Sequence, residues 1–341
     1  MRFIIILLIF LIVLFLYLHI FFHLKTSNDL EVYECETPDK DELEEICGLR
    51  QPAIFNYVDS LHTECNKSSL VGNYSSFDLK IRNINRVISD DEELYIPLRI
   101  DEMYKVIDSD KNASYISESN ADFLEETGLL KTFKYSDSLL RPYLTCKCEY
   151  DLMFGSTNSV TPFRYNLNYR NYFNVIEGTI KIKMTPPKNS KFLHEQKDYD
   201  NYEFRSLINV WNVSESHKSD FDKFKCLELE LHAGQLIYVP AYWWYSIEYS
   251  ENTMVSSYKY HTYMSIASIS QHISLALLQS QNIKRVPYLN IINDSNVNVE
   301  TDSSSNPTSD SSFNSTSDSS FNSTSGSSPN FTTDSSFNPT N

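Results

Sequence analysis

Leu152-Met-Phe-Gly-Ser-Thr-Asn-Ser-Val-Thr-Pro-Phe-Arg-Tyr-Asn166 and, well downstream, Ala233-Gly-Gln-Leu-Ile-Tyr-Val-Pro-Ala-Tyr-Trp-Trp-Tyr-Ser-Ile247 decide how this chain is read. Each is a short apolar run, a turn, and an extended arm carrying a few polar side chains. In the second, Leu236 and Tyr238, then Trp244, Ser246 and Glu248, mark a strand–turn–strand with Gly234 and Pro240 as breakers. Two such hairpins far apart in sequence are what a β-barrel needs to bring distant side chains together in its mouth.

The neighbouring segments agree with a strand-rich core. Tyr172 to Pro187 reads as a hairpin with Gly178 in its turn, and Cys226-Leu-Glu-Leu-Glu-Leu231 alternates apolar and charged residues as a half-buried strand does. Upstream, Thr37 to Gly48 predicts a short helix, with Thr37 as cap, Pro38 at the first helical position and Gly48 at its end. Arg50-Gln-Pro-Ala-Ile-Phe-Asn56 predicts a strand. Residues 57–135 are mixed and polar, with an apolar patch at Leu94–Leu98, helical character around Ala121–Thr127, and no chemistry legible in them. Ile269, Ile273 and Leu277, with Ala276, form an apolar stripe at helical spacing, expected to be core.

The whole chain has 341 residues and a formal net charge of −16, which argues against a nucleic-acid binder, since phosphates demand a basic face. Phe3 to Phe22 is an apolar run long enough to span a bilayer. It lacks the short core and small-residue cleavage site of a signal peptide, so residues 1–25 read as a signal anchor. That reading places a single-pass protein in a membrane with its domain, residues 26–290, lumenal or extracellular. The cysteines (Cys35, Cys47, Cys65, Cys146, Cys148, Cys226) are even in number, as an oxidising compartment allows, and show no zinc or redox spacing. Sequons occur at Asn66, Asn73, Asn112, Asn212, Asn293, Asn314, Asn322 and Asn330. Residues 291–341 form a Ser/Asn/Thr-rich tail in which Thr308-Ser-Asp-Ser-Ser-Phe-Asn-Ser recurs from Thr316, too polar for a core and expected to be disordered.

The two opening stretches resemble the core of the cupin-like, Jumonji-C (JmjC) type Fe(II)/2-oxoglutarate dioxygenases, in particular the branch that hydroxylates asparagine in hypoxia-inducible factor. Members read roughly Gly-x-x-x-Ser-x-Thr-Pro-x-His-x-Asp in the first stretch and Gly-Asp-x-Leu-x-Ile-Pro-x-x-Trp-Trp-His in the second. The run from Tyr172 to the two prolines Pro186 and Pro187 matches a third family pattern. The resemblance implies a mainly β fold, a double-stranded β-helix (cupin, jelly-roll) with flanking helices, here preceded by one transmembrane helix. In some relatives a carboxy-terminal helix serves dimerisation, which leaves room for a homodimer.

In that family the iron sits on His, Asp and His. Arg164, Asn166 and Tyr245 stand at those positions here. Arg has no lone pair and stays protonated, Asn lacks the carboxylate charge, and Tyr ligates well only as phenolate, with an ordinary pKa of about 10. Three such replacements leave no Fe(II) site of the facial-triad kind. His194, His217, His232, His261 and His272 are ligand candidates by type alone, without the spacing that puts two on one strand face. On the co-substrate side, Thr161 and Asn171 match residues that relatives use around 2-oxoglutarate. Ile180 stands where a lysine is expected, and Lys181 falls on the other face. Arg164 in the pocket offers an anion a guanidinium, or pairs internally with a carboxylate. Tyr242, Trp243 and Trp244 are expected at the pocket rim or in barrel packing. The combined expectation is a membrane-anchored, catalytically inactive cupin-like module that binds a protein segment or small anion, without cofactor. The alternative is an active 2-oxoglutarate-dependent protein hydroxylase with a rebuilt metal site.

Overall fold

A computed structural model describes residues 2–85 and 94–281. The expected disordered tail and its repeats lie outside the described residues. The amino-terminal half is α1 (Arg2–Leu24), β1 (Tyr33–Glu34), α2 (Lys40–Gly48), β2 (Ala53–Asn56), α3 (Leu61–Glu64) and α4 (Lys67–Tyr74). It continues with β3 (Asp78–Asn83), β4 (Ile96–Arg99), α5 (Ile100–Ser109), β5 (Tyr115–Ser117), α6 (Ala121–Glu126) and α7 (Leu129–Ser136). The carboxy-terminal half is mostly strand. It comprises β6 (Thr145–Gly155), β7 (Arg164–Tyr165), β8 (Arg170–Glu177), β9 (Thr179–Thr185), a 3-10 turn at Pro187–Phe192, β10 (Glu195–Asp198) and β11 (Glu203–Ser206). Then come α8 (Lys218–Phe221), β12 (Leu227–His232), β13 (Gln235–Pro240), β14 (Trp244–Tyr249), β15 (Met254–Thr262), α9 (Tyr263–Ser268) and α10 (Ser270–Gln281).

The strands form two sheets, in the order β1-β2-β13-β8-β15-β6-β5-β3-β4 and β10-β11-β7-β14-β9-β12. Alternation along each strand sorts the apolar residues into three layers. Phe173, Val175, Ile237, Val239, Ile180, Ile182, Tyr245 and Ile247 fill the space between the sheets. Tyr172, Leu236, Tyr238, Tyr258 and Tyr260 point the other way, under Leu43, Leu61, Leu70, Met103, Phe123 and Phe133 of the helices. On the outer face of the smaller sheet Phe163, Tyr165, Phe204 and Trp244 pack with Leu193, Phe224 and Ile269.

All three expected hairpins are strand–turn–strand units, but none is a hairpin; β6 and β7, from the first opening stretch, already lie in different sheets. β13 pairs with β2 and β8, whereas β14 pairs with β7 and β9, so the turn at Ala241–Trp243 carries the chain from one sheet to the other. Gly178 does the same between β8 and β9. Its φ is +76°, and a Cβ there would lie 2.8 Å from Thr253 Cα, so both the backbone and the space require glycine. Each crossing closes one corner of the double-stranded β-helix.

Two local expectations are also corrected. α2 is capped by Asp39, whose carboxylate accepts from the Glu42 amide at 2.9 Å, and not by Thr37. An aspartate is the stronger cap and also favours the positive end of the helix. Of the carboxy-terminal stripe, Ile269 is buried and Ile273 half-buried, while Leu277 is 58 % exposed. All six cysteines are free thiols, so their even number reflects no pairing here.

Candidate functional site

Arg164, Asn166 and Tyr245, which the resemblance sets at the iron-ligand positions, converge on the space between the sheets. Tyr245 faces Arg164 across the β14–β7 ladder, and the Asn166 amide donates to the Tyr245 hydroxyl at 2.9 Å. The Tyr245 ring packs on Phe173, with centroids 5.1 Å apart. Sequence reading therefore brought together three side chains that do meet in space.

The alternative of an internal carboxylate partner for Arg164 holds, but the sequence does not say which carboxylates. Its guanidinium donates to Glu118 with both terminal nitrogens, Nη1 to Oε1 at 3.0 Å and a shorter contact from Nη2 to Oε2, and Nη1 also reaches Glu203 Oε1 at 3.0 Å. Arg82 joins the same carboxylates, 3.0 Å from Glu203 and 3.5 Å from Glu118. The Tyr95 hydroxyl donates to Glu118 Oε1 at 2.7 Å. Arg82 lies on β3 and Glu118 just beyond β5, in the larger sheet; Arg164 on β7 and Glu203 on β11 belong to the smaller one. Among the described residues, two cations and two anions, all nearly inaccessible, thus form a quartet that bridges the sheets, with the more exposed Arg205 at its edge, 3.9 Å from Glu203.

Burial alone would raise the Glu118 carboxyl. The Arg164 charge and hydrogen bonds, with Arg82 and Tyr95, outweigh it and hold the group well below the usual range, at about 2. Conversely, burial works against the Arg164 cation and the Glu118 charge restores it. Three of these partners, Arg82, Tyr95 and Glu118, come from the stretch in which no chemistry was legible. The one signal available was Arg164 itself: a guanidinium on an inward-facing strand position demands carboxylates, but not which ones among the chain's 45 acidic residues.

These side chains do not fit an Fe(II) centre. A guanidinium already bound to two carboxylates offers no lone pair, and the Asn166 amide nitrogen is turned to Tyr245. Among the described residues no three of His, Cys, Asp or Glu are grouped to hold a metal ion. Of the five histidines only His194 and His217 lie together, with ring centroids 5.4 Å apart; His194 pairs with Asp220 at 2.8 Å, His232 with Thr179 at 3.2 Å, His261 with Asn168 at 3.0 Å and His272 with Tyr199 at 3.2 Å. His217 bonds Ser214 at 3.0 Å.

The residues expected near the co-substrate bond to the framework, although Asn171 Oδ1 is buried without a hydrogen-bond partner. The Thr161 hydroxyl accepts from the Ile247 amide at 2.9 Å, and the Asn171 amide donates to the Val239 carbonyl at 3.2 Å. Ile180 is fully buried between the sheets, whereas Lys181 points out toward Glu248, 3.9 Å away, as the spacing predicted. Of the aromatic trio, Trp243 lies inside the sandwich and Trp244 in the outer layer, donating to Ser190 at 2.8 Å. Tyr242 alone, held at φ +65°, lines a cavity of about 290 Å³ on the outer face of the smaller sheet, beside Tyr165, Glu195, Lys197 and His272.

Comparison with known proteins agrees with this architecture. The family described as Cupin-like domain matches residues 59–265, more than half of the chain. JmjC domain-containing protein D of Dictyostelium discoideum is 28% identical over 100 residues, 29% of this chain and 22% of that protein. HSPB1-associated protein 1 of Rattus norvegicus is 28% identical over 109 residues, 32% of this chain and 23% of its own length. The matched region thus spans less than a quarter of either relative. With two many-stranded sheets, helices flanking the larger one and a family match across the strand-rich core, the chain belongs to the cupin-like domain family.

Proposed function

We propose that this chain is a membrane-anchored cupin-like protein that has given up the oxygenase chemistry of its JmjC-type relatives and works as a binding module, with a protein segment as its partner. Arg164, Asn166 and Tyr245 replace the iron triad in this reading. The observation that carries it is the closed quartet: Arg164 is neutralised by Glu118 and Glu203 before any ligand arrives. An anion would have to displace two buried carboxylates, so the small-anion reading loses its attraction. The name of the rat relative, an HSPB1-associated protein, supports partnership with a protein.

The anchor is α1, the one described helix long and apolar enough to cross a membrane. A lumenal domain agrees with the exposure of Asn73, Asn112 and Asn212. Asn66 differs, because its side chain caps α4 by accepting from the Ser69 amide at 2.8 Å.

The test is anaerobic titration of the detergent-solubilised full chain with Fe(II) or Mn(II), with and without 2-oxoglutarate, followed by thermal unfolding. The expected melting temperature is independent of metal. Stabilisation that grows with metal concentration sinks the module reading and restores an oxygenase with relocated ligands.

A further inference from the structure

The joint between α1 and the domain is stitched rather than loose. Arg50, itself buried and in the left-handed region at φ +55°, donates to the His23 and Lys25 carbonyls at 2.9 Å each. Those are carbonyls that a helix end leaves without an intrahelical partner. The same guanidinium lies 4.4 Å from the Phe22 ring, and His23 stands edge-on to Tyr169 at 5.2 Å. Four residues on, Lys188 Nζ donates to the Asn28 carbonyl at 2.7 Å. A span fixed in this way dictates which face of the domain meets the bilayer.

That face has an unusual composition. Residues 263–281 contain no Asp, Glu, Lys or Arg, in a chain that is 22% charged. On them Tyr263, Leu277 and Leu278 are 68, 58 and 61 % exposed. α9 packs along α1, and the half-buried residues of α1 are His19, Ile20 and His23. From His19 to the end of α1 the helix rises about 7 Å, which matches the 5–10 Å to which interfacial helices sink into the headgroup boundary. α10 begins at the same level, since His272 and Leu24 line one cavity. Exposed Lys25, Lys188 and Lys191 near this foot suit lipid phosphates.

We propose that the domain lies against the bilayer its own first helix enters, with the uncharged α9–α10 segment seated in the headgroup layer. This rests on α1 being a membrane span, and the test separates the two. The full chain is placed in phosphatidylcholine vesicles with p-benzoylphenylalanine at one of three sites: Leu8 in α1, Leu278 in α10, or Val58, which packs beside Gly234 at the opposite end of β13. After irradiation, lipid adducts are read by mass spectrometry. The expected result is lipid on Leu8 and Leu278 and none on Val58. Lipid on Leu8 but not on Leu278 overturns the seating and leaves the anchor standing. A protein–protein adduct of twice the chain mass at Leu278 overturns it as well, giving α10 to a second copy. Absence of lipid from Leu8 removes the anchor and the seating together.

Discussion

Arg164 and Tyr165 are adjacent on one short strand and face opposite worlds. Arg164 turns inward, where Glu118 and Glu203 answer its charge. Tyr165 turns outward, donating to Glu195 across a cavity of about 290 Å³ that Tyr242 and Lys197 share. By the resemblance a cupin interior offers its polar groups to a metal and a small acid; here its charged groups pair with each other, and an open polar cavity lies on the other side of the sheet. The difference teaches that the inner charges serve cohesion between the sheets, while the polar groups left open to solvent lie on the outer face.

The largest expected effect breaks the inner side. Arg164→Ala leaves the buried Glu118 and Glu203 to Arg82 and to the half-exposed Arg205, 3.9 Å from Glu203, and is expected to cost about 3–5 kcal/mol of unfolding free energy, measured by denaturant titration of the full chain in detergent. Arg164→Met combined with Glu118→Leu keeps the Arg82–Glu203 pair balanced and is expected to cost less than either single change. Wild-type stability in Arg164→Ala marks Arg164 as a receptor rather than a staple.

Acid probes the same side more gently. Glu118 has its folded pKa held down to about 2, against about 4.5 for the free side chain, so its contribution is complete above pH 4.5 and is lost as the pH falls from there toward 2. The loss is on the order of 3 kcal/mol. Asp151 runs opposite: burial raises its folded pKa to about 6, so its share of stability is complete below the ordinary carboxylate range and fades as the pH rises toward 6. Unfolding followed from pH 7 to 2 is therefore expected to show an acid limb that Glu118→Gln flattens and Asp151→Asn does not.

The smallest effect belongs to the outer side. Tyr165→Phe removes one hydrogen bond to the half-exposed Glu195 and is expected to cost about 1 kcal/mol. A loss as large as that of Arg164→Ala erases the distinction between the two faces.

The fold was legible because its frame is written in short range: glycines at the corners, alternation in Leu227–Leu231, an aromatic run after Pro240. What those signals do not carry is which sheet the next strand joins. A strand, a turn and a strand look the same in sequence whether the chain folds back or crosses over, since the difference is decided by partners far away, such as β2 beside β13. The site was half legible for the same reason. Arg164, Asn166 and Tyr245 were found from local motifs, whereas Arg82, Glu118 and Glu203 lie 82, 46 and 39 residues from Arg164 and carry no motif of their own. Asp39 against Thr37 is the same lesson in miniature: both are good caps, and only the backbone path chooses.

The quartet finally constrains how such a sequence is free to drift. A single replacement at 82, 118, 164 or 203 by an uncharged residue unbalances the charge between the sheets, while loss of one cation together with one anion does not. The four positions therefore behave as one inherited character, expected to be kept or changed in pairs among descendants of this chain, whatever the surrounding surface does.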